Sequence, residues 1–436
     1  MTEVDALASA RVGARPVGGG GFVLLGIPDV NGSIRGKALR PAAFEAALRN
    51  GTVVTDLLLA LDPTDLPITD YERFGIRSGA GDILVRPEPE TLRELTWRLG
   101  WSVCLATPYW PDGRPCELAS REVLRRVLAA AAALGYDVLA AFEYEVRIRD
   151  ADARPLSSGT SYSVGEILRF EDLLGRLEPA LDGLGVELSA VHTEGGPGLL
   201  ELNVAARRGL QAADDAALVK LTVKEVAASL GLRASFLAKT TAGEEGSSGH
   251  VHLSLWRDGE NAFAVDETMG AAVAGILEHL PAASLLLNPT INSYKRLVPG
   301  FFAPVNVSWG RENRSAAVRV IRSERAELTR IECRRPGADA NPYLALAALV
   351  ASAADGVRRG LTPPPPVEGD ASLRADLPPL PASLEGALRA FDDADVLRAA
   401  LGEPFSDYFR VSRAWELKAW QQAVSDWERD RYGEAV

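Results

Sequence analysis

Cysteine is scarce in this chain: three among 436 residues, Cys104, Cys116 and Cys333, with no CxxC pair. That supplies neither a disulfide framework nor a thiolate metal site, and it fits a reducing compartment. An excess of basic residues is also missing. The 47 Lys and Arg stand against 59 Asp and Glu, a net charge of −12, which leaves no basic stripe for nucleic acid. No apolar run approaches the roughly 20 residues that span a bilayer. The opening Met-Thr-Glu-Val-Asp lacks a basic region followed by an apolar one, so no secretory signal is expected. The expectation is a cytoplasmic protein with no nucleic-acid or membrane partner. A hydrophobic content of 47% with 24% charged residues is ordinary for a globular enzyme, and the length allows one large core or two unequal ones.

Glycine and proline divide the chain. Residues 1–20, ending at Gly18-Gly19-Gly20, read as a mobile arm. Phe22–Ile27 and the stretch around Gly36–Leu39 read as strands joined by a turn at Asp29-Val30-Asn31-Gly32. A helix follows over Pro41–Asn50, then strands near Asp82–Arg86 and Trp101–Thr107: a small mixed sheet with one helix. Pro108–Gly113 marks a boundary, giving a small N-terminal domain at 21–112 and a larger one at 113–436. In the larger part, helices are expected over Val123–Leu134, most of Val164–Leu184, Ala213–Leu230, Met269–Leu285 and Pro342–Arg358. Strands are expected at Val138–Ile148, in a hairpin over Ser189–Val204, at His250–Trp256, and as a pair at Val305–Val320 and Leu328–Arg334. Asn288–Ala303 reads as a long loop and Pro363–Pro366 as a rigid linker before a helical C-terminus. The class is α+β.

Four segments place ionisable residues two apart: Glu143-Tyr144-Glu145, His192-Thr193-Glu194, His250-Val251-His252 and Arg330-Ile331-Glu332-Cys333-Arg334. In a strand, residues two apart project from the same face, about 7 Å apart. The intervening residues are mostly apolar, so one face sits on a core and the other carries acids, His and Arg. Taken singly, each segment reads as a half-exposed strand. Together they have complementary charge, which metal ions plus phosphates would satisfy. Glu143, Glu145, Glu194, Glu201, Glu332 and His250 form a set rich in oxygen with one nitrogen and no sulfur, which favours Mg²⁺ or Mn²⁺ over Zn²⁺ or copper. Six ligands suit two ions with three protein ligands each. Gly195-Gly196-Pro197-Gly198 is a tight loop between Glu194 and Glu201, and the run Gly243–Gly249 could let backbone approach a ligand.

Four strings carry a resemblance: Asn288-Pro-Thr-Ile-Asn-Ser-Tyr-Lys-Arg-Leu-Val-Pro-Gly300, Asn313-Arg-Ser-Ala-Ala-Val-Arg319, Gly246-Ser-Ser-Gly-His-Val-His-Leu-Ser-Leu255 and Glu332-Cys-Arg-Arg-Pro-Gly-Ala-Asp-Ala-Asn-Pro-Tyr343. The chain resembles the glutamine synthetase family over nearly all of residues 20–436. The resemblance implies an N-terminal β-grasp domain and a catalytic domain whose curved antiparallel sheet forms a funnel. It also implies ring-shaped homo-oligomers, usually dodecamers of two hexamers, with active sites between subunits. Glu145, Glu194 and Glu201 resemble ligands of a first metal, and Glu143, His250 and Glu332 those of a second. Arg296 and Arg334 resemble clamps on L-glutamate, with Gly246 and His250 also on the substrate side. Arg314, Arg319 and Arg330 resemble the arginines that stabilise the transferred phosphoryl group and ATP, and His252 resembles a nucleotide contact. His192 and His279 receive no role and read as surface or packed histidines.

The implied chemistry activates a carboxylate as an acyl phosphate, at the expense of ATP, for displacement by an amine. Departures from the family pattern point to the amine. Phe302 stands where ammonia-using members carry a Glu that helps deprotonate ammonium. Leu199 stands where many have Gln, and Glu245 where many have Asn. Asp62 is the best match for the acid that an adjacent subunit contributes, and no adenylylation-loop tyrosine is recognisable. The leading expectation is a γ-glutamylamide ligase acting on an organic amine. An ammonia-using glutamine synthetase, a non-catalytic homologue and a guanidino-type phosphotransferase remain as alternatives.

Overall fold

The computed structural model describes residues 21–436, so the arm expected at 1–20 lies outside the described residues. β1 (Val23–Pro28) and β2 (Ile34–Leu39) form an antiparallel hairpin. Asp29 builds its turn, accepting the N–H groups of Asn31 and Ser33 at 2.9 and 2.8 Å, while Gly32 takes a φ of 81° that costs glycine nothing. α1 (Pro41–Asn50) buries Phe44 and Ala47. β3 (Thr52–Thr55), β4 (Asp82–Pro87), β5 (Arg93–Glu94) and β6 (Ser102–Tyr109) complete a sheet in the order β2-β1-β6-β4-β3, with β5 on β6. β6 runs parallel to β1. Hairpin, helix and closing parallel strand make this the expected β-grasp. β3 escaped the sequence reading because it is four residues long, lacks alternation, and leaves Val53 49% exposed.

The second sheet has ten strands: β7 (Asp137–Arg149), β8 (Leu188–Thr193), β9 (Leu199–Val204), β10 (Arg207–Arg208), β11 (Arg233–Ser235), β12 (Gly249–Arg257), β13 (Glu260–Asn261), β14 (Trp309–Arg311), β15 (Val318–Ile321) and β16 (Arg330–Cys333). Its order is β14-β15-β16-β12-β7-β9-β8, with β10 and β11 on β7 and β13 on β12. Every pair is antiparallel except β14 with β15. Numbering only the longer helices, α2 (Ser120–Ala133), α3 (Glu171–Gly183), α4 (Leu210–Ser229), α5 (Asp266–Leu287), α6 (Pro342–Arg359), α7 (Leu384–Asp392) and α8 (Glu403–Gln422) complete this part. Phe142, Tyr144, Val146, Val251, Leu253 and Ile331 are all buried, so the apolar face predicted from their alternation does sit on the core.

Three expectations need correction. Val305–Val320 is not one strand. Asn306 bridges Pro379, and then β14 and β15 are separated by the Asn313 turn, whose side chain is held by the carbonyls of Val367 and Gly369. Pro363–Pro366 is not a linker between bodies. It lies along β14, where Trp309 Nε1 donates to Pro364 O and Val367 N to Trp309 O. The Asn288–Ala303 loop holds a short helix, Ser293–Arg296. In addition, α5 is long and apolar enough to cross a membrane, although no uninterrupted run of that length is visible around Glu278 and His279; 83% of its most apolar window is buried in the fold. A helix apolar on nearly all sides is what a core position demands.

No strand of one sheet pairs with the other, yet one apolar core runs through both parts, from Val30, Ile68 and Tyr71 to β7, α5 and α6. Asn341 ties them together. Its Oδ1 accepts the N–H groups of Tyr343 and Leu344 at the start of α6, and its Nδ2 donates to Asp29 O at 2.8 Å. Across the same junction the Tyr71 hydroxyl donates to Tyr408 O and the Tyr408 hydroxyl to Leu59 O, both at 2.8 Å.

Candidate active site

Strand register assembles the ionisable face. His250 stands opposite Glu143 and Glu143 opposite Asn203; Glu145 stands opposite Glu201 and Glu201 opposite His192; His252 and Arg319 flank Glu332. Directly opposed residues have Cβ atoms about 4.5–5.5 Å apart, so these rows converge on shared space. That space is a cavity of about 1030 Å³, also lined by Arg296, Arg314, Arg330 and Arg334. Ligand pockets are commonly about 300–1,000 Å³, so this one has room for more than one small molecule.

Glu143 and Glu332 form one cluster. His250 Nδ1 is 3.0 Å from Glu143 and 3.4 Å from Glu332, while His252 Nε2 is 3.4 Å from Glu143. Burial raises the Glu332 carboxyl, but Arg334 and then His250 outweigh it and hold the group low. Burial, followed by the Arg334 charge, pushes His250 down to about 4, so its imidazole is neutral as a metal ligand must be. Its Nε2 is buried with no partner among the described residues.

Glu194 and Glu201 form the second cluster, with His192 Nε2 at 2.9 and 3.4 Å. Glu145 adjoins it, accepting Ser248 N and Oγ at 2.8 and 2.9 Å. Burial pushes Glu145 up to about 7, and burial with the neighbouring Glu143 pushes Glu201 up to about 9. Two groups offer potential ligand atoms, Glu143 with His252 and Glu332, and His192 with Glu194 and Glu201, the atoms of each group lying within 4.8 Å of one another. Together with carboxylates resisting ionisation this strongly, they fit hard divalent cations. Five of the six sequence-selected ligands line the cavity, and the sixth, Glu332, is buried behind them, 3.4 Å from His250.

Two neighbours were missed. His192 is neither a surface nor a packed histidine: it touches both acids and stacks on Tyr162, with ring centroids 4.1 Å apart. Asn203 Nδ2 donates to Glu143 and Glu201, both at 2.9 Å, linking the clusters. Asn203 sits two residues from Glu201 on β9, and His192 two residues before Glu194, which follows the end of β8; both spacings were legible. His279 is packed as expected, 2.9 Å from Asp355, whose charge Arg358 and Arg359 also answer.

Around the clusters, Arg296 is buried and donates to the carbonyls of Arg335 and Arg334 at 3.1 and 3.2 Å. Burial pushes it down to about 10, against the pull of Glu145. Gly246 lies so close to it that an added Cβ would come within 2.6 Å of Arg296 Cγ. Arg319 reaches Glu332 at 3.1 Å, and Arg330 Nε donates to His252 Nδ1 at 3.1 Å, which fixes that ring. Arg314 is exposed at the rim, lining both the cavity and an adjoining groove. Phe302 is 62% exposed there with φ +50°. Leu199 is buried in the core and does not reach the site, whereas Glu245 does, lying against Gly195. Asp62 is buried too, and Thr64, Leu66 and Trp415 of its own chain donate to its oxygens.

Comparison with known proteins agrees with this geometry. The glutamine synthetase catalytic domain matches residues 117–432. A γ-glutamylethanolamide synthetase of Streptomyces coelicolor is 36% identical over 94% of this chain and 92% of its own length. A glutamate–isopropylamine ligase of a Pseudomonas species is 34% identical, covering 94% of each chain, and a glutamine synthetase of Thermus thermophilus is 34% identical over 94% of this chain and 95% of its own. The solved structure of ligand-free GmaS superimposes with a TM-score of 0.85 at 28% identity, over 95% of this chain and 96% of that one. Fold, clustered acids and sequence together place the chain in the glutamine synthetase family.

Proposed function

We propose that this enzyme is an ATP-dependent ligase joining the γ-carboxyl of L-glutamate to an organic amine through γ-glutamyl phosphate. The observation that carries this reading is Phe302: a phenyl ring lines the rim of a cavity that keeps both carboxylate clusters and the arginines around them, where ammonia-using relatives of the resemblance carry a Glu. Two relatives of comparable similarity are named for organic-amine ligation, ethanolamide and isopropylamide formation respectively.

Family membership implies ATP and divalent metal ions; two Mg²⁺ or Mn²⁺ per site is our reading of the two acid clusters. Glu145, Glu194 and Glu201 would hold one ion, and Glu143, His250 and Glu332 the other. When bound, such ions neutralise charge on the transferring phosphoryl oxygens. Arg296 and Arg334 would grip glutamate carboxylates, placing the γ-carboxylate in line with the terminal phosphate of ATP. Attack by that oxygen forms the acyl phosphate and releases ADP. Arg314, Arg319 and Arg330 stabilise charge on the transferred group. The amine nitrogen then attacks the acyl carbon, phosphate leaves, and a proton is lost from nitrogen. The proposal includes a boundary at 112/113, supported by the change of sheet there, a cytoplasmic location, and a dodecamer of two hexameric rings as in the resemblance.

The test is ADP release with ammonium against a panel of amines, with mass-spectrometric detection of γ-glutamyl products. Organic amines should exceed ammonium in kcat/KM. A preference for ammonium over every amine would leave an ordinary glutamine synthetase.

A further inference from the structure

Phe302 poses a mechanical problem. A non-glycine residue at φ +50° persists only when its surroundings over-determine it, and a ring 62% exposed contributes little to that. The hold must come from its neighbours. Phe301 lines the same cavity, and the Lys239 ammonium lies 4.8 Å from its ring centroid. Lys239 is 8% exposed and has no carboxylate within ion-pair distance among the described residues. Its Nζ donates to Glu244 O and lies over the Phe301 face, with the Glu244 and Glu245 carboxylates acting on it from beyond ion-pair distance. Its backbone is fixed independently: Lys239 N donates to Asn292 Oδ1 at 2.8 Å, and Asn292 Nδ2 returns a bond to Lys239 O at 2.9 Å. Lys239 thus joins three segments that meet at the site: the Glu244–Gly246 turn, the loop before Arg296, and the 298–303 loop.

We propose that Lys239 is a positioning residue, whose ammonium pins the Phe301 ring and so holds the 298–303 loop in the conformation that sets Phe302 over the acceptor amine. The contact is reversible, so it fixes the loop without locking it. The inference rests on the acceptor reading of Phe302 given above.

The test replaces Phe301 with mono-, di- and trifluorophenylalanine, which drain the negative face of the ring at nearly constant shape. The acceptor KM should climb with each fluorine, by about fivefold across the series, as expected for a partly desolvated cation–ring contact. The KM for glutamate should stay within about twofold. Amide hydrogen exchange of residues 298–303 in the substrate-free protein should accelerate in parallel. Lys239→Met should match the trifluoro protein, and Lys239→Arg should keep the wild-type values. In Lys239→Met combined with trifluoro-Phe301, the two effects should not multiply. A flat fluorine series, or multiplying effects, overturns the proposal. Exchange is read without substrate, so it reports on the pin even if the acceptor proves to be ammonium.

Discussion

Glu145 and Glu201 face each other on adjacent antiparallel strands, and neither has an arginine or lysine within ion-pair distance among the described residues. Burial and mutual repulsion oppose their ionisation. At neutral pH the pair either keeps protons or takes up external positive charge.

Metal removal should therefore abolish turnover. Glu145→Ala should do the same while leaving a folded protein, because it takes away a ligand and a repulsive charge together. Activity surviving in excess chelator would falsify the two-metal assignment.

The metal-free protein should lose stability as pH rises. In the unfolded chain these carboxyls titrate near 4.3. In the folded chain they hold protons to about 7 and about 9. Between those limits the folded state binds more protons, so its advantage is full below about pH 4 and declines up to about pH 9. Thermal midpoints in chelator should fall between pH 5.5 and 8.5, and saturating Mg²⁺ should flatten that slope. An unchanged slope with Mg²⁺ would separate the acids from the metal.

Arg334→Lys should raise the KM for glutamate about tenfold and that for ATP by less than about twofold, because lysine cannot reproduce a planar two-point grip. Arg334 also pairs with Glu332, so the measurement must be made at saturating Mg²⁺. A change confined to ATP would move Arg334 to the nucleotide side.

Phe302→Glu should raise the relative kcat/KM for ammonium and lower it for bulky amines. An alkylammonium titrates near 10, and freeing its base at pH 7 costs about 4–5 kcal/mol. A carboxylate can take that proton and phenyl cannot. Unaltered selectivity would remove Phe302 from the acceptor site.

The sequence by itself determined a small mixed sheet with one helix, which the family resemblance made a β-grasp, and the polar-face strands, since alternation with period two dictates which residues share a face whatever the sheet becomes. It also marked all six proposed ligands by residue type and spacing. Register was decided by the tertiary structure. That His192 belongs with Glu194 and Glu201, and that Asn203 bridges Glu143 to Glu201, depends on how β7, β8 and β9 align, which no single strand encodes. The breaks in Val305–Val320 follow equally from distant carbonyls that capture Asn313 and Trp309. Asp62 shows the same limit: its side chain was visible as an acid, but the Trp415 that occupies it lies 353 residues further on. Local pattern fixes the face a side chain takes, whereas its partners come from closures across hundreds of residues, whose energies are spread over the whole core.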